Sequence, residues 1–184
     1  MTETKFRFDK GMVKTVVTLL LFAAVVAFLL GLVNDITADR IQDYKAEKTL
    51  AAMKQVLPAS EYSQVVYNGD SAVASVFRAG DQGWIIEVTP SGFGGLIDML
   101  VGVDTAGKVT GVSIISMSET SGLGANAARE SFRSQYVGKS GSVKLRKQGG
   151  EIDALTGATV TSTAVTKGVN LALGVAAEFM KGGK

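Results

Sequence analysis

At 184 residues the chain has room for one domain with a real core and an accessory segment. It contains neither Cys nor His, which excludes disulfides, Fe–S clusters, His-ligated haem and most Zn or Cu sites, and removes the commonest general base. With neither residue, any redox chemistry here has to be carried by an organic cofactor, and 19 basic residues against 17 acidic ones leave a net charge of +2, too small for a nucleic-acid footprint.

The chain opens with Lys5, Arg7, Lys10 and Lys14 against Glu3 and Asp9. Thr15 to Val33 then form 19 consecutive uncharged, mostly apolar positions, long enough to cross a bilayer core as a helix. A secretory signal would have a shorter apolar region and a small-residue cleavage site, whereas Asn34-Asp35-Ile36-Thr37 follows here. A retained anchor is the stronger reading. Beyond the span come Asp35, Asp39 and Asp43 against Arg40, and from residue 15 onward the two signs balance at 15 each. The positive-inside rule therefore predicts a cytoplasmic N-terminal segment (1–14), a single transmembrane helix (15–33), and the rest of the chain on the extracytoplasmic side of the cell (inner) membrane.

Residues 34–58 read as a linker helix of good helix formers, stopped by Pro58. Strand-like runs follow at Gln64–Tyr67, Ala72–Phe77 and Trp84–Val88, separated by Asn68-Gly69-Asp70 and Gly80-Asp81-Gln82-Gly83. Leu96–Asp104 and Lys108–Ile115 read as a hairpin around Thr105-Ala106-Gly107, Ala125–Tyr136 as a helix, and Ser142–Arg146 as a further strand. From about Thr161 the apolar residues Val165, Val169, Ala172, Ala176 and Phe179 recur in steps of three and four, one face of a last helix reaching about Met180. The predicted class is α+β: one transmembrane helix, then one globular domain at 59–184 with a mainly antiparallel sheet and flanking helices.

Three loops stand out. Ser91-Gly92-Phe93-Gly94-Gly95 places three glycines around an aromatic ring, which permits close backbone approach to a flat ligand, although a plain inter-strand loop is the stronger reading. The second is Ser118-Glu119-Thr120-Ser121-Gly122-Leu123-Gly124. The third, Asp153-Ala154-Leu155-Thr156-Gly157-Ala158-Thr159, feeds the last helix. It puts the Thr159 hydroxyl at or beside a helix N-terminus, where free N–H groups and the helix dipole favour an anion such as a phosphate. On the residues alone, ordinary helix capping is the plainer reading.

Asp153-x-x-Thr156-Gly157-Ala158-Thr159 resembles the flavinylation motif of the covalent-FMN-binding domain family, and Glu119-Thr120-Ser121-Gly122-Leu123-Gly124 resembles that family's Glu-Thr-Pro-Gly-Leu-Gly segment, with Ser121 in place of Pro. With its N-terminal anchor, the chain is similar to the G subunits of Rnf-type ion-translocating electron-transport complexes. The C subunits of sodium-pumping NADH:quinone reductases are the alternative.

The resemblance implies a covalent FMN whose phosphate is esterified to Thr159 by a flavin transferase. Asp153, Thr156, Gly157 and Ala158 would complete the motif, and Glu119, Thr120, Gly122, Leu123 and Gly124 would lie against the flavin. It implies an electron-relay subunit without a complete catalytic site of its own, with the other subunits, the transferase and membrane lipid as partners, and no nucleic acid or metal. No Gly-x-Gly-x-x-Gly follows a strand, so NADH binding is not expected. A membrane-anchored scaffold without redox function would explain the anchor and sheet but not the motif. A hydrolase is disfavoured by the missing His.

Overall fold

The computed structural model describes residues 10–182, and within them nothing is stated for the side chains of 39–43 and 45. The N-terminal charges Glu3, Lys5, Arg7 and Asp9, and the side chains of Asp39, Arg40 and Asp43, lie outside the described residues. Helix α1 runs without a break over Lys10–Val56. Within its first part, Lys10–Ala38, an 18-residue stretch reaches a mean hydropathy of 3.0 with none of it buried, and Leu20, Phe22 and Phe28 are each about two-thirds exposed. So much apolar surface in water is untenable, and lipid is the solvent it suits. The helix stops at Val56 because Pro58 cannot donate the next backbone bond. Tyr62 then secures the exit, its hydroxyl donating to the Leu57 carbonyl (2.9 Å) and accepting the Ala59 N–H (3.1 Å).

Five strands follow: β1 Tyr62–Val65, β2 Val73–Ala79, β3 Gly83–Val88, β4 Asp98–Asp104 and β5 Val109–Ser116. They form one antiparallel sheet in chain order, each strand pairing with the next. The β4–β5 turn is held by Asp104, whose Oδ1 accepts the N–H groups of Ala106 and Lys108 at 2.9 and 2.8 Å.

Period-two alternation sends the side chains of β3 and β4 into two different cores. Trp84, Ile86, Val88, Met99, Val101 and Val103 face the larger one, closed by helix α3 (Thr159–Lys181) through Ala164, Val165, Val169, Ala172 and Ala176. Ile85 and Leu100 point the other way, onto Ala52, Met53, Val56 and Leu57. The compact unit accordingly begins at Lys48, upstream of the boundary expected after Pro58. Gly111 lets this segment settle: a Cβ there would stand 2.9 Å from the Val56 Cα. Lys48 Nζ donates to the Ile115 carbonyl, and Thr110 Oγ1 to that of Val56 (2.6 Å).

Two expected elements differ. Ser142–Arg146 is not a strand. Val143 and Leu145 are buried alternately, which imitates one, but both main-chain groups of Val143 are taken by the Asn170 side chain at 2.7 Å. What pairing there is consists of an isolated parallel bridge from Leu145 to Ile152. The helix expected over Ala125–Tyr136 is broken into a 3-10 turn at Gly124–Ala128, a one-turn helix α2 at Glu130–Arg133 and a 3-10 turn at Ser134–Tyr136. The break is at Arg129, whose backbone is extended, and Arg133 ties the pieces down by donating to the carbonyls of Ala128 (2.9 Å) and Val112 (2.5 Å). Strand β1 also ends earlier than expected, leaving Tyr67 to pack on Phe179 at 6.2 Å between ring centroids.

Candidate functional site

Helix α3 begins at Thr159, and its N-cap is Ala158, which has no side chain to offer as a cap. The capping reading of Asp153, Thr156 and Thr159 is therefore not what is found. Gly157, at φ +73°, turns the chain into the helix. Behind it Ser162 stabilises the entry, accepting the Leu155 N–H and donating to the Ala158 carbonyl, both at 2.9 Å. The Ala158 N–H reaches the Leu155 carbonyl and the Ser162 N–H that of Ala158. Thr159, Val160 and Thr161 thus supply the first-turn N–H groups that have no partner within the helix.

That first turn forms one wall of a cleft of about 400 Å³, lined by Gly157, Ala158, Thr159, Val160 and Thr161 from α3, by Glu119, Thr120, Leu123 and Gly124 from the loop after β5, and by Phe93 from the loop before β4. Seven of the expected site residues therefore meet around one space. Gly122, Thr156 and Asp153 are not among its lining. Asp153 instead turns to Arg146, receiving Nε at 2.6 Å and Nη2 at 3.2 Å, while its own N–H is donated to Gln135 Oε1 at 2.7 Å. The hydrogen bond from Arg146 holds the Asp153 carboxyl below its ordinary value. Phe93, Val160 and Thr161 were not foreseen as site residues. The first was visible as an aromatic flanked by glycines; the other two could be placed only once the start of α3 was known.

Glu119 joins the three walls. Its Oε1 accepts the N–H groups of Phe93 (2.8 Å) and Gly94 (3.1 Å), and its Oε2 accepts the Thr161 hydroxyl (2.7 Å). Partial burial pushes this carboxyl up, but the hydrogen bonds from Thr161, Gly94 and Phe93 together outweigh it and hold the group below its ordinary value. Gly94 has to be bare for the walls to meet, since a Cβ would stand 2.0 Å from the Ser118 carbonyl oxygen. The rim is apolar and wet: Phe93 is 72% exposed, Val160 53% and Leu123 43%.

An FMN group fits this arrangement. The volume is within the range of small-molecule sites. The exposed Phe93, Leu123 and Val160 offer faces that a flat ring would cover. Thr159 presents a hydroxyl where the helix end favours a phosphoryl charge.

The FMN-binding domain family matches residues 92–174, and a family described as the RnfG N-terminal region matches residues 1–56. Among the relatives is the G subunit of the Na(+)-translocating ferredoxin:NAD(+) oxidoreductase complex of Acetobacterium woodii, 32% identical over 95% of this chain and 96% of that one. The G subunit of the proton-translocating ferredoxin:NAD(+) oxidoreductase complex of Clostridium ljungdahlii is 37% identical over 76% of this chain and 83% of its own. The G subunit of an ion-translocating oxidoreductase complex of Methanosarcina acetivorans is 31% identical over 90% and 94%. The crystal structure of the C subunit of the Na(+)-translocating NADH-quinone reductase from Parabacteroides distasonis matches with a TM-score of 0.52 and 20% identity, over 73% of this chain and 83% of that one. At that identity the likeness speaks for the fold alone.

Proposed function

The chain belongs to the G-subunit family of ion-translocating oxidoreductase complexes, and we propose that it holds its FMN covalently, as a phosphoester on the Thr159 hydroxyl. It is an electron-relay subunit of such a complex, with FMN as its carrier. The reaction it serves is the one its relatives are named for, electron transfer between ferredoxin and NAD(+) coupled to ion movement. Relatives named for Na(+) and for protons lie at comparable identity, 32% and 37%, as expected if other subunits select the ion.

The observation that carries the covalent reading is Thr159 itself: first residue of an uncapped helix, exposed, and on the wall of the cleft. Bound there, FMN supplies reversible uptake and release of electrons. The unpaired N–H groups of Thr159, Val160 and Thr161 and the positive helix end stabilise the phosphoryl charge. Phe93, Leu123 and Val160 would offer the apolar faces against which the ring rests. An unassisted threonine hydroxyl is a poor nucleophile, and both oxygens of Glu119, the one carboxylate of the lining, are engaged. Attachment therefore needs a flavin transferase. The bond that would form joins Thr159 Oγ1 to the flavin phosphorus, and the bond that would break is a phosphoanhydride of a flavin dinucleotide donor, whose nucleoside monophosphate half departs as the leaving group while the hydroxyl proton passes to solvent or a base of the transferase. We place the FMN domain on the extracytoplasmic side, because the basic residues precede the span.

Chain produced with a flavin transferase should gain the mass of FMN less one water and keep it in denaturant, and chain produced without one should not. Thr159→Ala should lose the adduct and Thr159→Ser should keep part of it, since a primary hydroxyl forms the same ester. Flavin fluorescence persisting on denatured Thr159→Ala protein overturns the assignment.

A further inference from the structure

Among the residues lining the cleft, one side chain ionises: Glu119. Its three hydrogen bonds join the loop at Phe93 and Gly94 to the first turn of α3, two segments with no sequence proximity. The backbone is bare around it as well. A Cβ on Gly124 would lie 2.5 Å from Glu119 Oε2 and 2.7 Å from Thr161 Oγ1. The Phe93 ring that this tie holds is 72% exposed, an arrangement that stabilises nothing in the chain by itself. We propose that Glu119 is the positioning residue of the flavin cleft, pinning the Phe93 loop to the first turn of α3 before any flavin is present, and that its charge, the single fixed ionic charge of the lining, biases the bound flavin against reduction.

This rests on the FMN reading of the same cleft. Reduction adds negative charge to the ring, and a carboxylate held nearby opposes that. The two parts separate in the isosteric variant. In Glu119→Gln the amide oxygen still accepts the N–H groups of Phe93 and Gly94, and the Thr161 hydroxyl can turn to accept the new NH₂, so the tie survives and the charge does not. Glu119→Ala removes both.

The full-length chain in detergent tests it in two arms. In flavin-free protein, made without a flavin transferase and checked by mass, chymotrypsin should cut after Phe93 roughly tenfold faster in Glu119→Ala than in the parent, and at near-parental rate in Glu119→Gln. In loaded protein, the flavin midpoint potential of Glu119→Gln should be more positive than that of the parent. Parental cleavage in Glu119→Ala overturns the tie, and so does cutting at the buried Phe132 as well, which would make Glu119 a residue of global folding. A parental potential in Glu119→Gln overturns the role of the charge, since a purely structural residue would leave the potential unmoved. A parent chain that takes up no flavin removes the covalent reading and the charge effect together, and the cleavage arm then judges the tie by itself.

Discussion

Asp153 illustrates how one residue of a motif can be read two ways. Its carboxylate is not on the cleft but on Arg146, in an ion pair with both side chains about two-thirds exposed. Exposed pairs of this kind contribute little, so Asp153→Ala should shift the thermal midpoint by less than about 4 °C. If Asp153 is what the flavin transferase reads, the same variant should lose most of its FMN loading. Arg146→Ala is the deciding control: it breaks the same pair yet leaves the carboxylate in place, so loading should persist, measured as the flavinylated fraction by mass. Loss of loading in Arg146→Ala as well would make the pair, not the acid, the requirement. Glu119 carries a pH prediction. Its folded carboxyl lies below the ordinary 4.5, so its contribution is fully present above that value and is lost as pH falls through the lower folded value. Opening of the Phe93 loop, read by amide hydrogen exchange corrected for its intrinsic pH dependence, should therefore be flat from pH 7 to 5 and rise only below about 4.5 in the parent, and Glu119→Gln should show no such rise. Spacing placed the Thr159 hydroxyl beside a helix start, but it was the family resemblance that singled out Thr159 and Glu119 as site residues. Neither could reveal that Glu119 turns to Phe93 and Thr161, because those contacts join loops far apart in the chain.

At the scale of elements, what could be read ahead was whatever local periodicity dictates. Val165, Val169, Ala172 and Ala176 are all fully buried, as their spacing required, and the runs of β-branched residues became strands within a few positions of expectation. The misreadings differ in cause, and in one the burial pattern imitates secondary structure where a side chain replaces the ladder. Val143 and Leu145 alternate like a strand although Asn170 holds the backbone of Val143, whereas the helical spacing of Phe132 and Tyr136 is real but local, because the extended Arg129 before them cuts that stretch off from Gly124–Ala128. The end of α1 shows the opposite limit. Residues 34–58 read only as a linker helix, and the fact that fixes its end onto the sheet, the bare Gly111 beneath Val56, lies far along the chain. A prediction follows for truncation. A chain of residues 48–184 should be soluble and fold cooperatively. One beginning at residue 58 uncovers Ile85, Leu100 and Ile115 and gives up the burial of Met53, Val56 and Leu57, each on the order of 1.5–3 kcal/mol. Against a domain stability of roughly 5–15 kcal/mol, that loss should appear as aggregation or a strongly lowered midpoint in thermal unfolding. Equal midpoints for the two chains would show that the end of α1 does not belong to the core.

The whole molecule is an apolar helix joined to a domain without net charge, and that combination bears on its orientation. Lys5, Arg7, Lys10 and Lys14 stand before the span, with Glu3 and Asp9, while the remaining charges divide equally between the signs. A domain with no excess of either sign gives no charge signal against translocation, so the cluster before the span is left to set orientation. We therefore expect the FMN domain outside the cytoplasm and the N-terminus inside. The relay would then exchange electrons on that side, and a cytoplasmic donor would have to reach it through other subunits, since α1 has no Cys or His with which to hold a metal cofactor in the membrane. A reporter active only in the cytoplasm, fused after Lys184, should be silent, and one active only outside should work. Replacing Lys10 and Lys14 with Asp while adding two Lys beside Asn34 should shift part of the population to the reverse orientation, and the fraction carrying FMN should fall with it if the flavin transferase acts outside. Strong cytoplasmic signal from the unaltered chain would overturn the orientation. Reversed chains that stay fully flavinylated would keep the orientation but move the maturation step to the cytoplasm.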